Sequence, residues 1–148
     1  MPIPEFNQLG LLPEGIHDCT FQEAEARFGC FQESDRRVRL WARFREFFDQ
    51  SKAIGLIHEL LLDGSFVTSE PEPNDIDLVV VVSEEHDFGA DLTPGEYNIL
   101  SKQRVRRRFE LDIVVATSGT DEVDETVDFF RQVRGRPHFR KGLLRIRL

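Results

Sequence analysis

The stretch Leu60–Val82, LLLDGSFVTSEPEPNDIDLVVVV, decides how this chain is read. Gly64-Ser65 is followed after nine residues by Asp75-Ile76-Asp77, which runs into an apolar block from Leu78 to Val82. Side chains alternate along a strand, so Asp75 and Asp77 share one face while Ile76 and Leu78 take the other. Two carboxylates about 4 Å apart repel by roughly 4 kcal/mol at an effective dielectric near 20. A strand that keeps such a pair is expected to place a cation between them. Ser69–Asn74 carries Pro71 and Pro73, which cannot pair inside a sheet, and reads as a loop. It joins a strand predicted over Ile54–Leu62 to one over Asp75–Val82. The second strand is apolar almost throughout and is predicted to be central, buried on both faces. The plainer reading of the Asp-x-Asp is a surface turn, since Pro73-Asn74-Asp75 is good turn sequence.

A third carboxylate strengthens the cation reading. Phe109–Ala116, FELDIVVA, is predicted as another strand, and Asp112 interrupts its apolar run. Laid beside Asp75-Ile76-Asp77, it would bring three acids together. An oxygen-only, multiply charged site suits Mg²⁺ or Mn²⁺ rather than zinc, and it fits two-ion phosphoryl transfer. Gly64 would let backbone approach a phosphate closely, and Ser65 would add a hydroxyl and N–H donors.

On these residues the segment Leu60–Val115 resembles the DNA polymerase β-like nucleotidyltransferase superfamily. The resemblance implies a nucleotidyltransferase fold: a small mixed β-sheet flanked by helices, α/β (α+β) in class. It also implies catalytic and metal-binding roles for Asp75, Asp77 and Asp112, with two Mg²⁺ or Mn²⁺ ions. Gly64 and Ser65 would hold the phosphates of a nucleoside triphosphate such as ATP. Over the whole chain, GLLPEGIHDCT, LDGSFVTSEPEPNDIDLVV and KGLLRIRL are similar to a small family of bacterial and phage proteins in the minimal, MNT-like group. Members of that group act in toxin–antitoxin or phage-defence loci. Some modify a partner protein and related toxins modify tRNA, so the implied acceptor is a protein, a tRNA or a small molecule.

Secondary residues carry two readings each. Lys102 and Arg106 could neutralise a triphosphate or form a solvated helix face. Asp63 could neighbour the metal site or cap its turn, and Thr68 and Ser69 could meet phosphate or close the loop. Glu110, two residues from Asp112, could reach the rim of the site. His17, His58, His86 and His138 lack ligand spacing and read as structural or solvated.

Around this centre, residues 1–148 read as one domain with an N-terminal arm and a helical region over 1–52. Thr20 and Glu23 form a capping-box pattern, with Phe21, Ala24 and Phe28 at helical spacing up to Gly29. Capped by Ser34 or Asp35, a second helix runs to about Gln50 or Lys52. Val38, Trp41, Ala42, Phe44, Phe47 and Phe48 make its apolar stripe, and Arg36, Arg37, Arg39, Arg43 and Arg45 its outer faces. After a polar connection over Ser83–Pro94, a helix with Pro94 in its first turn continues through Tyr97, Leu100, Ser101 and Arg104. Asp121–Val133 is predicted as an amphipathic helix stopped by Gly135 and Pro137. Gly142–Leu148 alternates like an edge strand, which would suit a homodimer.

The formal net charge of −8 argues against broad, non-specific nucleic-acid binding. No run is long and apolar enough for a membrane span, and the N-terminus lacks the build of a signal peptide. Cys19 and Cys30 read as reduced thiols of a cytoplasmic protein, a disulfide between them being the alternative.

Overall fold

A computed structural model describes residues 3–29, 35–83, 93–119, 121–130, 132–133, 136–140 and 142–148. The apolar run after Asp75 forms β3 (Ile76–Val82), which pairs antiparallel with β2 (Ile57–Asp63). Leu60 faces Val80, Leu62 faces Leu78, and Asp63 faces Asp77. β4 (Leu111–Thr117) lies parallel to β3 on its other side, in a register that sets Asp77 beside Asp112. β7 (Gly142–Arg147) flanks β2 antiparallel, and β1 (Gly15–Asp18) lies parallel to β7. The five-stranded sheet has the order β1-β7-β2-β3-β4, so the fold is mixed α/β with helices flanking the sheet.

One expectation fails at this end of the sheet. β7 is not an edge, because β1, a strand supplied by the N-terminal arm, covers it. Half-exposed GIHD lacks an apolar run, so only its partner reveals it as a strand. Arg145 clamps it, donating from Nε and Nη2 to the two carboxylate oxygens of Asp18 at 2.6 and 2.9 Å. The open β7 edge from which a homodimer was expected is therefore absent.

α1 (Phe21–Ala24) begins with the expected Thr20–Glu23 capping box and runs into a π-helical stretch, Glu25–Gly29. α2 (Asp35–Ile54) is longer than predicted; Gly55, at φ +80°, ends it, so Ile54 belongs to the helix and not to β2. Its buried positions are Arg37, Leu40, Trp41, Phe44, Phe47, Phe48 and Ser51, while Val38 is 53% exposed and Ala42 is exposed. The interior stripe thus passes through an arginine, against the sequence expectation.

The helix after Thr93 also differs. It breaks into α3 (Pro94–Leu100) and α4 (Lys102–Phe109) at Ser101, whose N–H closes the first helix while its hydroxyl caps the second. Phe109 is helical rather than the start of β4, and meets Phe47 edge-on at 5.5 Å.

One apolar cluster runs from Leu12 to Ile146 between these helices and one face of the sheet. On the other face a smaller cluster joins Leu61, Val79, Val81, Ala116 and Leu143 to Val123 of α5 (Asp121–Phe130). α5 ends before the predicted Val133, because Gln132–Val133 (β5) pairs with Arg136–Arg140 (β6) in a separate two-stranded ribbon. A ribbon strand has a free edge, where Pro137 is tolerated. Among the described residues no helix is long and apolar enough to cross a membrane. Cys30, Ser34, His86, most of the 83–94 connection, Arg131, Arg134 and Lys141 lie outside the described residues, as does the side chain of His138. Cys19 is a free thiol whose pKa burial pushes up to about 12.

The β1–β7 clamp has a pH signature. The hydrogen bond from Arg145 holds the Asp18 carboxyl below its ordinary value. A lowered folded-state pKa contributes stability above the unfolded value near 3.8 and loses it as pH falls through the folded value. Asp18→Asn is expected to cost under about 1 kcal/mol at neutral pH, as exposed pairs do. The mutant and wild-type denaturation midpoints should converge in acid; a constant difference down to pH 2 would contradict the clamp.

Candidate functional site

The shared face of β2, β3 and β4 opposite α2 carries a lateral row of acids. Asp63, Asp77 and Asp112 occupy matching positions on three neighbouring strands, which lie about 4.8 Å apart. Asp75 stands two residues before Asp77, just ahead of β3. Asp75, Asp77 and Asp112 each bring one carboxylate oxygen within 4.8 Å of the others, and all three are partly exposed. Unit charges at that spacing repel by about 3–4 kcal/mol per pair at an effective dielectric near 20. Asp63, beside Asp77 in the β2–β3 register, is only 1% exposed.

Gly64 turns the chain from β2 across this row. Its φ of +81° with ψ −168° is open essentially to glycine alone. A Cβ placed there would lie 2.1 Å from Oδ2 of Asp77. The Gly64 backbone is therefore packed directly against a cluster carboxylate. Ser65 follows, exposed, at the head of a 3₁₀ turn over Ser65–Val67. Thr68 closes that turn: its hydroxyl donates to the Ser65 carbonyl at 2.7 Å and accepts from the Glu70 N–H at 3.1 Å. The N–H of Ser69 donates to Gly10 of the arm at 2.9 Å. Loop closure is thus the role the contacts give Thr68 and Ser69.

The loop is held from beneath by Arg37, which sequence reasoning placed on the outside. Its Nε donates to the Glu70 carbonyl, Nη1 to those of Phe28 and Phe66, and Nη2 to those of Thr68 and Glu70, at 2.6–3.2 Å. These five bonds use the full donor set of a guanidinium. The group also lies 4.8 Å from the ring centre of Phe66. Burial pulls its pKa down to about 10, so it stays charged at neutral pH. Helical phase was the available signal: Arg37 is three residues before Leu40 and four before Trp41, on the apolar stripe.

α4 supplies two cations. Arg106 Nη1 donates to Asp75 Oδ2 at 2.8 Å, and Lys102 Nζ lies 3.6 Å from Asp112 Oδ1. Four residues apart, they share one helix face, and a single residue, Glu110, links α4 to β4. Asp75, with weaker pull from Asp112 and Asp77, raises the Arg106 pKa. Glu110 itself adopts a left-handed φ of 57° and lines a hollow with Arg39, Arg43 and Glu46 of α2. Its backbone leaves the strand alternation there, so the spacing from Asp112 that offered it the rim of the acid site does not apply. His17 hydrogen-bonds the Pro13 carbonyl at 2.7 Å, a structural use.

Residues 4–147 match the family described as "Family of unknown function (DUF6932)". The chain belongs to this family. No curated protein and no solved structure matches it. The DUF6932 match covers the arm, the Gly-Ser loop and all three acids alike.

In this DUF6932 chain the donor set fits a hard divalent ion: oxygen only, three carboxylates, and positive groups already drawn to them. Two substitutions test how the loop and acids are coupled. Gly64→Ala is expected to cost about 1–3 kcal/mol from backbone conformation alone, and to push Asp77 aside. Arg37→Lys keeps the charge but offers three donors to four carbonyls, at about 1–3 kcal/mol for each acceptor left unsatisfied. Denaturant unfolding reads both; wild-type stability in either variant would contradict this geometry.

Proposed function

We propose that this protein is a Mg²⁺- or Mn²⁺-dependent nucleotidyltransferase of the DNA polymerase β-like superfamily, acting in the cytoplasm. It would move a nucleoside monophosphate from an NTP to a hydroxyl acceptor on a protein, a tRNA or a small molecule. The observation that carries the reading is the convergence of Asp75, Asp77 and Asp112 beside a glycine turn packed on Asp77.

Asp75, Asp77 and Asp112 would hold two divalent ions, which when bound supply charge neutralisation at the reacting phosphate. The chain's own residues do the rest. Gly64 lets backbone lie close to the phosphates, and the exposed Ser65 hydroxyl donates to one of them. Arg106 and Lys102 reach the same space from α4 and balance the triphosphate charge. The acceptor oxygen attacks the α-phosphorus, the bond to the β-phosphate's bridging oxygen breaks, and pyrophosphate leaves. Asp112, 45% exposed at its side chain against 24% for Asp75, takes the acceptor's proton and passes it to solvent. Alignment of these groups, rather than a covalent intermediate, carries the rate.

A second reading has a specific observation in its favour. Arg106 and Lys102 already pair with two of the acids, which suits a non-catalytic binding module of an antitoxin or defence system that needs no metal. Incubation with α-labelled NTPs and candidate acceptors, including products of neighbouring genes, separates the two. Transfer of label with Mg²⁺ or Mn²⁺, reduced about 100-fold or more by Asp77→Asn, is the expected result. Partner binding without any transfer, unaltered by Asp77→Asn, would instead establish the module.

Metal binding has its own check. Mn²⁺ at 100 times its dissociation constant should stabilise the wild type by about 2.7 kcal/mol. Asp75→Asn should blunt that rise in melting temperature. An equal response in wild type and variant would remove Asp75 from the ligand set.

A further inference from the structure

The acid cluster as it stands is not bare. Arg106 and Lys102 sit on two of its three carboxylates, Asp75 just ahead of β3 and Asp112 in β4. Both cations are well exposed, with side chains 56% and 69% accessible. Exposed pairs are weak and exchange readily. Neither cation is locked into its partner by burial, as Arg37 is.

Resting on the nucleotidyltransferase reading, we infer that Arg106, assisted by Lys102, is an internal counter-ion that transfers from the carboxylates to the triphosphate, so that divalent ion and nucleotide bind as one unit. The physics is an exchange of partners. A divalent ion arriving alone must compete with the guanidinium for Asp75, and the displaced arginine then has no anion to meet. Arriving with a triphosphate, it frees Arg106 toward phosphate oxygens, which a guanidinium binds as a fork. Each ligand therefore tightens the other, and linkage makes the effect reciprocal. The α4–β4 junction suits this exchange. One residue ties the cationic helix face to the strand of Asp112, so only side chains need to move.

The test is a titration of Mn²⁺, followed by electron paramagnetic resonance, with and without a non-hydrolysable α,β-methylene nucleoside triphosphate. In the wild type the nucleotide should tighten Mn²⁺ about 5- to 100-fold, the range of typical site couplings. Arg106→Gln should bind Mn²⁺ alone about 2- to 5-fold tighter than wild type, as expected for release of an exposed pair. It should also lose most of the nucleotide's enhancement. Arg107→Gln removes the same charge from the same helix without touching Asp75, and should leave both affinities within about 2-fold of wild type. Arg106→Gln binding Mn²⁺ no tighter than wild type would overturn the inference, as would an equal gain in Arg107→Gln. Either outcome leaves the divalent site standing. Absence of saturable Mn²⁺ binding in the wild type, with or without nucleotide, would instead remove the enzymatic reading and this inference with it.

Discussion

Arg37 gives all five of its N–H donors to backbone carbonyls of Phe28, Phe66, Thr68 and Glu70, and the geometry of the acid face follows from that anchorage. A buried guanidinium is costly unless every donor is met. Here the cost is offset by carbonyls that a 3₁₀ turn and irregular loop would otherwise leave unsatisfied. The loop between β2 and β3 has two prolines and no ladder of its own, so α2 must hold it. Once held, it fixes Gly64 against Asp77 and returns the chain to Asp75 in register for β3. The arm adds a second restraint through Gly10 and Ser69.

The acid face works against folding. Three carboxylates within 4.8 Å, with Asp63 buried beside Asp77, would be a poor choice for stability alone. The fold tolerates them because the surrounding strands are packed on their opposite face by α2 and α4, and because α4 leans two cations over the cluster. The same two cations are well placed to meet a polyphosphate. Charge that steadies the metal-free protein is thereby available to a ligand, which ties the stability of the site to its proposed use.

Local signals made much of this legible. Alternation along Asp75–Val82 put Asp75 and Asp77 on one face, and the apolar setting of Asp112 marked it as their partner; the parallel β3–β4 register then brings them together. The capping box at Thr20 and the proline in the first turn after Thr93 marked true helix starts. Other features depend on tertiary context. Arg37 is an interior residue only because loop carbonyls wait for it, and composition alone assigns arginine to the surface. β1 has no apolar pattern and is a strand only by pairing with β7. Ser101 serves as an ordinary helix residue or as a double cap, and the turn of α4 toward β4 decides between them. Glu110 sits at alternate spacing from Asp112, yet a left-handed backbone sends it to the α2 side.

The central claim is spatial: the oxygens of Asp75, Asp77 and Asp112 share a divalent ion beside Gly64. Anomalous diffraction from crystals grown with Mn²⁺ and a non-hydrolysable nucleoside triphosphate reads this directly. The expected map has a Mn²⁺ peak bounded by those three carboxylates, with the triphosphate over Ser65. A nucleotide bound elsewhere, or a map with no peak at the three acids while Arg106 remains on Asp75, would contradict it.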